Sequence, residues 1–99
     1  MKQFECRIED PNGMHARPAG ALAAFAKQLS SDISVTCKGK SVDAKRLLSL
    51  MSLGALCGDT LRFEITGDEE ERECDRLADF LREQQAPFSG GKAGPSVNE

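Results

Sequence analysis

Three stretches of this chain alternate apolar and polar side chains one residue at a time. Phe4, Cys6 and Ile8 are interleaved with Glu5 and Arg7, Ile33, Val35 and Cys37 with Ser34 and Thr36, and Leu61, Phe63 and Ile65 with Arg62 and Glu64. Successive side chains of a strand point to opposite faces, so each stretch predicts a strand with one buried face. A sheet of such strands is wet on one side and dry on the other. Something else in the chain must cover the dry side.

Three segments with helical spacing supply that cover. Ala19, Leu22, Ala23, Ala26 and Leu29 form one apolar face from Ala16 to about Leu29, and Cys74, Leu77, Ala78 and Leu81 form another that runs to about Gln84. Lys45 to Leu53 reads as a short helix that is apolar nearly all round, with Leu47, Leu48, Leu50, Met51 and Leu53. Lys38-Gly39-Lys40 is a turn that returns the chain into a short strand at Val42, and Gly54 and Gly58 bracket a loop. Asp68 with Glu71 three positions later has the spacing of a capping box for the last helix. The order is β-α-β-β-α-β-α, an α+β fold. It predicts a two-layer sandwich, a four-stranded antiparallel sheet with three helices on one face. Residues 1–85 are expected to form one domain, and the Gly-, Pro- and Ser-rich residues 86–99 a flexible tail or a linker.

Thirteen basic and 16 acidic side chains leave a formal charge of -3, which argues against a nucleic-acid-binding role. No apolar run is long enough for a membrane span, and "MKQFECRIED" lacks the apolar core of a signal peptide. A cytoplasmic protein with no membrane insertion is therefore expected. Cys6, Cys37 and Cys74 fall in apolar phase and are expected to be reduced core residues, while Cys57 falls in a loop as the exposed thiol. The wide cysteine spacing and single histidine predict no zinc site, and no cofactor motif is present.

That histidine, His15, sits in "PNGMHARPAG", between a turn and the first helix. A lone histidine in a loop is by itself an ordinary surface residue. Its position makes it more. The first amides of a helix have no internal partners and carry the positive end of the helix dipole, so a loop-to-helix junction attracts anions such as phosphate. Ala16 and Arg17 offer such amides, and Arg17 adds a guanidinium that grips phosphate oxygens. Pro18 lies in the first turn, where its missing N–H costs nothing. Gly13 permits the tight backbone, and Asn12 is placed to cap the helix or orient the ring. The arrangement would leave one ring nitrogen free to attack and would then hold a phosphoryl product. No second carboxylate, serine–histidine pair or metal cluster appears beside His15, so ordinary hydrolysis lacks a motif, and an independent hydrolase its water-activating base.

"NGMHARPA" and "VDAKRLLSLMSLG" together resemble HPr, the histidine-containing phosphocarrier family of the bacterial phosphoenolpyruvate-dependent sugar phosphotransferase system, over nearly all of residues 3–84. The resemblance implies an open-faced β-sandwich. It also implies that His15 takes a phosphoryl group on Nδ1 from phosphoenolpyruvate-charged enzyme I and passes it to a sugar-specific EIIA-type component, with Arg17, Ala16 and Asn12 around the phosphate. Leu47, Leu48 and Met51 would form the docking surface, ringed by Lys27, Lys45 and Arg46, on a monomer. The chain would be a relay carrier and not a stand-alone enzyme. Other readings are a regulatory docking module on the same fold, or a carrier in a nitrogen-related or dihydroxyacetone kinase relay.

One position departs from the family pattern. Many HPr proteins carry a regulatory serine directly after the lysine matching Lys45, and this chain has Arg46 there. Ser41, Ser49 and Ser52 do not stand in for it. Incubation with an HPr serine kinase and ATP should leave no phosphoserine; label recovered on serine after phosphoamino-acid analysis would overturn that expectation.

Overall fold

A computed structural model describes residues 1–83 and 88–89. In chain order it contains β1 (Lys2–Ile8), α1 (Ala16–Ala26), β2 (Asp32–Cys37), β3 (Lys40–Asp43), α2 (Leu47–Met51), β4 (Thr60–Thr66), α3 (Glu70–Glu83) and β5 (Phe88–Ser89). The strands form one antiparallel sheet in the order β3-β2-β4-β1-β5. The expected order and single-faced sheet are present. The two-residue β5 adds a fifth strand beside β1, pairing Ile8 with Phe88 and Arg7 with Ser89. Gln84, the expected end of the third helix, and residues 86–87 and 90–99 of the expected tail lie outside the described residues.

Alternation sets the register. Phe4 pairs with Phe63 and Cys6 with Leu61 across β1 and β4, while Val35 pairs with Phe63 across β2 and β4. Phe63 and Ile65 are fully buried, and the Phe4 ring stacks on Phe63 with centroids 5.0 Å apart. Burying each such large apolar side chain contributes roughly 1.5–3 kcal/mol. Ala19, Ala23 and Ala26 are buried in the same core with Leu22. Cys6, Cys37 and Cys74 are buried and reduced, whereas Cys57 is exposed. Burial alone pushes the Cys6 thiol up to about 12.

Helix ends differ from the sequence-based expectation. Helix α1 stops at Ala26 because the amides of Gln28 and Leu29 turn back to carbonyls three residues earlier, those of Phe25 and Ala26, although Leu29 remains buried. Helix α2 covers only Leu47–Met51, not Lys45–Leu53. The Asp43 carboxylate holds the Lys45 amide in a turn at 2.9 Å, and Arg46 becomes the extended residue before the helix. At α3 the reciprocal cap joins Glu70 to the Gly67 amide at 3.0 Å, one residue ahead of the Asp68–Glu71 pair.

The apolar stripe of α3 also carries a buried carboxylate. Glu73 accepts the Ser30 and Ser31 amides at 2.9 and 2.8 Å and the Ser30 hydroxyl at 3.1 Å. It thereby closes the turn between α1 and β2. Burial pushes this carboxyl up, but the hydrogen bonds from Ser31 and Ser30 outweigh it and hold it at about 2. A carboxyl depressed in the folded state stabilises fully above its unfolded value and loses that contribution as pH falls through the folded one. Glu73→Gln should therefore cost on the order of 2 kcal/mol in urea unfolding at neutral pH. The gap from wild type should close as pH falls from 4.5 toward about 2. A gap independent of pH would contradict this account.

Candidate active site at the start of helix α1

After β1 the chain makes a turn whose bonds centre on Asp10. The Asp10 carbonyl accepts the Gly13 amide at 2.9 Å, and its Oδ1 accepts the Asn12 amide at 2.8 Å. Gly13 has φ +71°, and a Cβ there would sit 2.5 Å from the Ala55 carbonyl oxygen and 3.1 Å from the Leu56 Cα. Only glycine satisfies both the left-handed backbone and the close approach. The Met14 amide then donates to that same Ala55 carbonyl at 3.0 Å, and the Met14 side chain is buried. The active loop is thus fastened to the loop after α2.

His15 follows as the extended residue preceding α1, with φ -94° and ψ -174°. Its carbonyl accepts the first helical bond from Ala19 at 3.0 Å, and its side chain is 35% exposed. Ala16 and Arg17 occupy the first two helical positions, both exposed, and Pro18 the third, buried. Because Pro18 has no amide hydrogen, the first-turn donors facing an incoming anion narrow to the amides of Ala16 and Arg17. The backbone at this junction thus has the helix start that the sequence predicts, with His15 directly before it.

The ring is held by a residue that local spacing did not indicate. His15 Nε2 lies 2.9 Å from Asp10 Oδ2, so folding brings one carboxylate to the histidine. The orienting role expected of Asn12 falls to Asp10, with Asn12 contributing its backbone amide. The Asn12 hydrogen bond lowers the Asp10 carboxyl most, the His15 bond adds to this, loss of solvation opposes it, and the His15 and Arg17 charges reinforce it. "EDPNG" marks a turn, which was legible; the contact five residues along was not.

On the neighbouring surface, Leu48 is 79% exposed, Leu47 and Met51 are near 40%, and Leu50 is fully buried beneath them. Lys27, Lys45, Arg46, Leu47 and Leu48 line one shallow depression of about 550 Å³, so the structure brings most of the expected partner residues together. The Lys45 ammonium is engaged by the Leu29 carbonyl at 2.9 Å. Leu56, missed in the sequence because it stands alone in a loop, is 60% exposed beside Gly13. Among the described residues, no group of three or more His, Cys, Asp or Glu side chains converges as metal ligands would, and no helix is long and apolar enough to cross a membrane.

An open-faced α+β sandwich with one histidine before its first helix defines a class of small phosphohistidine proteins. A family model described as the PTS HPr component phosphorylation site matches residues 2–83. Phosphocarrier protein HPr of Buchnera aphidicola subsp. Acyrthosiphon pisum is 34% identical over 83 residues, covering 84% of this chain and 98% of that one. HPr of Mycoplasma genitalium is 38% identical over 72 residues, covering 72% of this chain and 82% of its own. Among solved structures, HPr of Thermoanaerobacter tengcongensis superposes with a TM-score of 0.77 at 34% identity, over 85% of this chain and 94% of that one. The Bacillus subtilis protein Crh, a domain-swapped dimer, gives 0.65 at 30% identity over 85% and 97% of the two chains. The chain belongs to the HPr phosphocarrier family.

Gly13 and Gly54 separate two effects of an added methyl group. Both have positive φ, but a Cβ at Gly54 meets nothing within 4 Å. Gly54→Ala should cost about 1 kcal/mol from backbone strain alone, and Gly13→Ala at least about twice that. Urea unfolding of the pair checks the difference; equal losses would deny the close approach at Ala55.

Proposed function

We propose that His15 is the phosphoryl acceptor of a phosphotransferase relay, charged on Nδ1 by enzyme I at the expense of phosphoenolpyruvate and discharged to an EIIA-type component. The position of His15 immediately before α1 carries this reading, because it sets a partly exposed imidazole beside the free first-turn amides. The Ala16 and Arg17 amides and the Arg17 guanidinium would offset the phosphoryl charge, with Asn12 at the rim. The site is open, as a carrier that meets a donor and then an acceptor requires. The carrier works as a cytoplasmic monomer without a cofactor and does not turn over substrate alone.

Both partners would dock on the face formed by Leu47, Leu48 and Met51, with Lys27 and Arg46 at its positive rim. Exposed apolar side chains beside a charged rim are the anatomy of a protein-binding surface. The positive rim would favour acidic partners and speed their encounter. With Arg46 in the position where many relatives carry serine, this surface lacks their phosphoserine switch.

Incubation with phosphoenolpyruvate, magnesium and enzyme I should give an acid-labile adduct that is lost in His15→Ala. Arg17→Ala should slow its formation by about tenfold or more, since it removes a charge-assisted grip on the transferring group. Leu48→Ala should weaken enzyme I binding roughly fivefold or more with little change in melting temperature, because the side chain is 79% exposed. Binding of enzyme I without any adduct would favour the regulatory docking module instead.

A further inference from the structure

A neutral imidazole carries its proton on one nitrogen and its reactive lone pair on the other, and the two tautomers are close in energy in water. Which nitrogen attacks phosphorus therefore depends on what binds the opposite side of the ring. Here that group is a carboxylate, 2.9 Å from Nε2. We propose that Asp10 is a positioning residue for phosphoryl transfer, holding the His15 proton on Nε2 and so leaving the lone pair on Nδ1. This rests on the carrier reading above.

The geometry supports the assignment from both oxygens of Asp10. Oδ1 is occupied by the Asn12 amide at 2.8 Å, which prevents the carboxylate from turning, and Oδ2 faces the ring. An ionised carboxylate accepts hydrogen bonds and donates none. The Asn12 bond, the His15 bond and the Arg17 charge all favour the ionised form. The contact at Nε2 thus requires an N–H there. The carboxylate side chain is 17% exposed and the imidazole 35%, so the bond is shielded while the ring stays reachable.

The same bond serves both directions of the relay. On acceptance, the Nδ1 lone pair forms the N–P bond as the donor's bond to phosphorus breaks and its electron pair leaves with the donor. Nε2 keeps its proton, so the ring becomes a phosphorylated imidazolium whose positive charge Asp10 offsets. On discharge, the acceptor's nucleophile bonds to phosphorus and the N–P electron pair returns to Nδ1. The neutral ring is restored with the proton still on Nε2. No proton moves at His15 in either step.

Two substitutions separate positioning from turn-building. Asp10→Asn can keep its oxygen on the Asn12 amide and present an NH₂ donor to the ring, which favours the opposite tautomer. Asp10→Ala loses both bonds and leaves the tautomers unbiased. Nitrogen-15 NMR of the His15 ring should show the Nε2–H tautomer in wild type, a mixture in Asp10→Ala, and chiefly Nδ1–H in Asp10→Asn. The rate of phosphorylation by enzyme I should fall in that order, by about tenfold or more for Asp10→Asn. A merely structural role predicts the reverse order, because asparagine retains the turn bond and alanine does not. That reversed order, or an Nδ1–H ring in the wild type, overturns the proposal, and the wild-type spectrum decides even if a variant does not fold. Absence of any adduct on wild type overturns the carrier reading itself, whereas an adduct formed equally fast by all three proteins overturns only the role of Asp10.

Discussion

The dry face of the sheet is the constraint from which the other features descend. Phe63, Leu61 and Ile65 on the central β4, with Val35 and Ile33 beside them, present apolar surface that only a layer of helices can remove from water. Helix α1 contributes Ala19, Ala23, Ala26 and Leu22 to the core that this layer encloses. Its first turn is joined to the end of β1 by the short connection from Glu9 to His15. The position of His15 is a consequence of how the core is covered. The five-residue α2 completes the layer through Leu50 alone, which leaves Leu47, Leu48 and Met51 nowhere to be buried.

A second constraint ties those exposed side chains to the histidine. The Ala55 carbonyl receives the Met14 amide and is approached so closely by Gly13 that no side chain fits between. Ala55 and Leu56 lie in the loop that follows α2, and Met14 and His15 lie in the loop that precedes α1. Fastening one loop to the other fixes the distance between the exposed apolar face of α2, proposed above as the docking surface, and the His15 ring. Proximity of that kind converts partner binding into alignment of the reacting atoms, and small displacements in such contacts are costly in rate.

Periodicity made the strands, the helical stripes and the surplus of leucines in α2 legible in the sequence, because each is written in neighbouring residues. The helix start at Ala16 was legible for the same reason. The missed features depend on residues brought together by folding or on choices between adjacent caps. Glu73 reads as a solvated residue until Ser30 and Ser31, more than forty positions away, are folded against it. Asp10 reads as turn chemistry, and its second oxygen becomes informative only when the loop closes on the ring. Glu70 replaced Glu71 as the cap partner because both carboxylates were available and backbone geometry chose between them. Leu56 had no periodic neighbours to betray an exposed apolar side chain.

A carrier has to hold a phosphoryl group firmly enough to survive diffusion between partners and loosely enough to surrender it. A deep pocket rich in cations would favour holding and impede release. Here the positive elements are two first-turn amides and one exposed guanidinium, while the negative element, Asp10, acts from the far side of the ring. In the proposed relay the amides and Arg17 would interact with the phosphoryl oxygens, and Asp10 with the ring that would become the leaving group. Offsetting the charge of a phosphorylated imidazolium keeps the leaving group protonated, which is the state from which a neutral imidazole can depart. Stabilisation of the phosphate and readiness of the leaving group are thereby assigned to different residues. Their balance can shift through Asp10 without disturbing the docking face or the core.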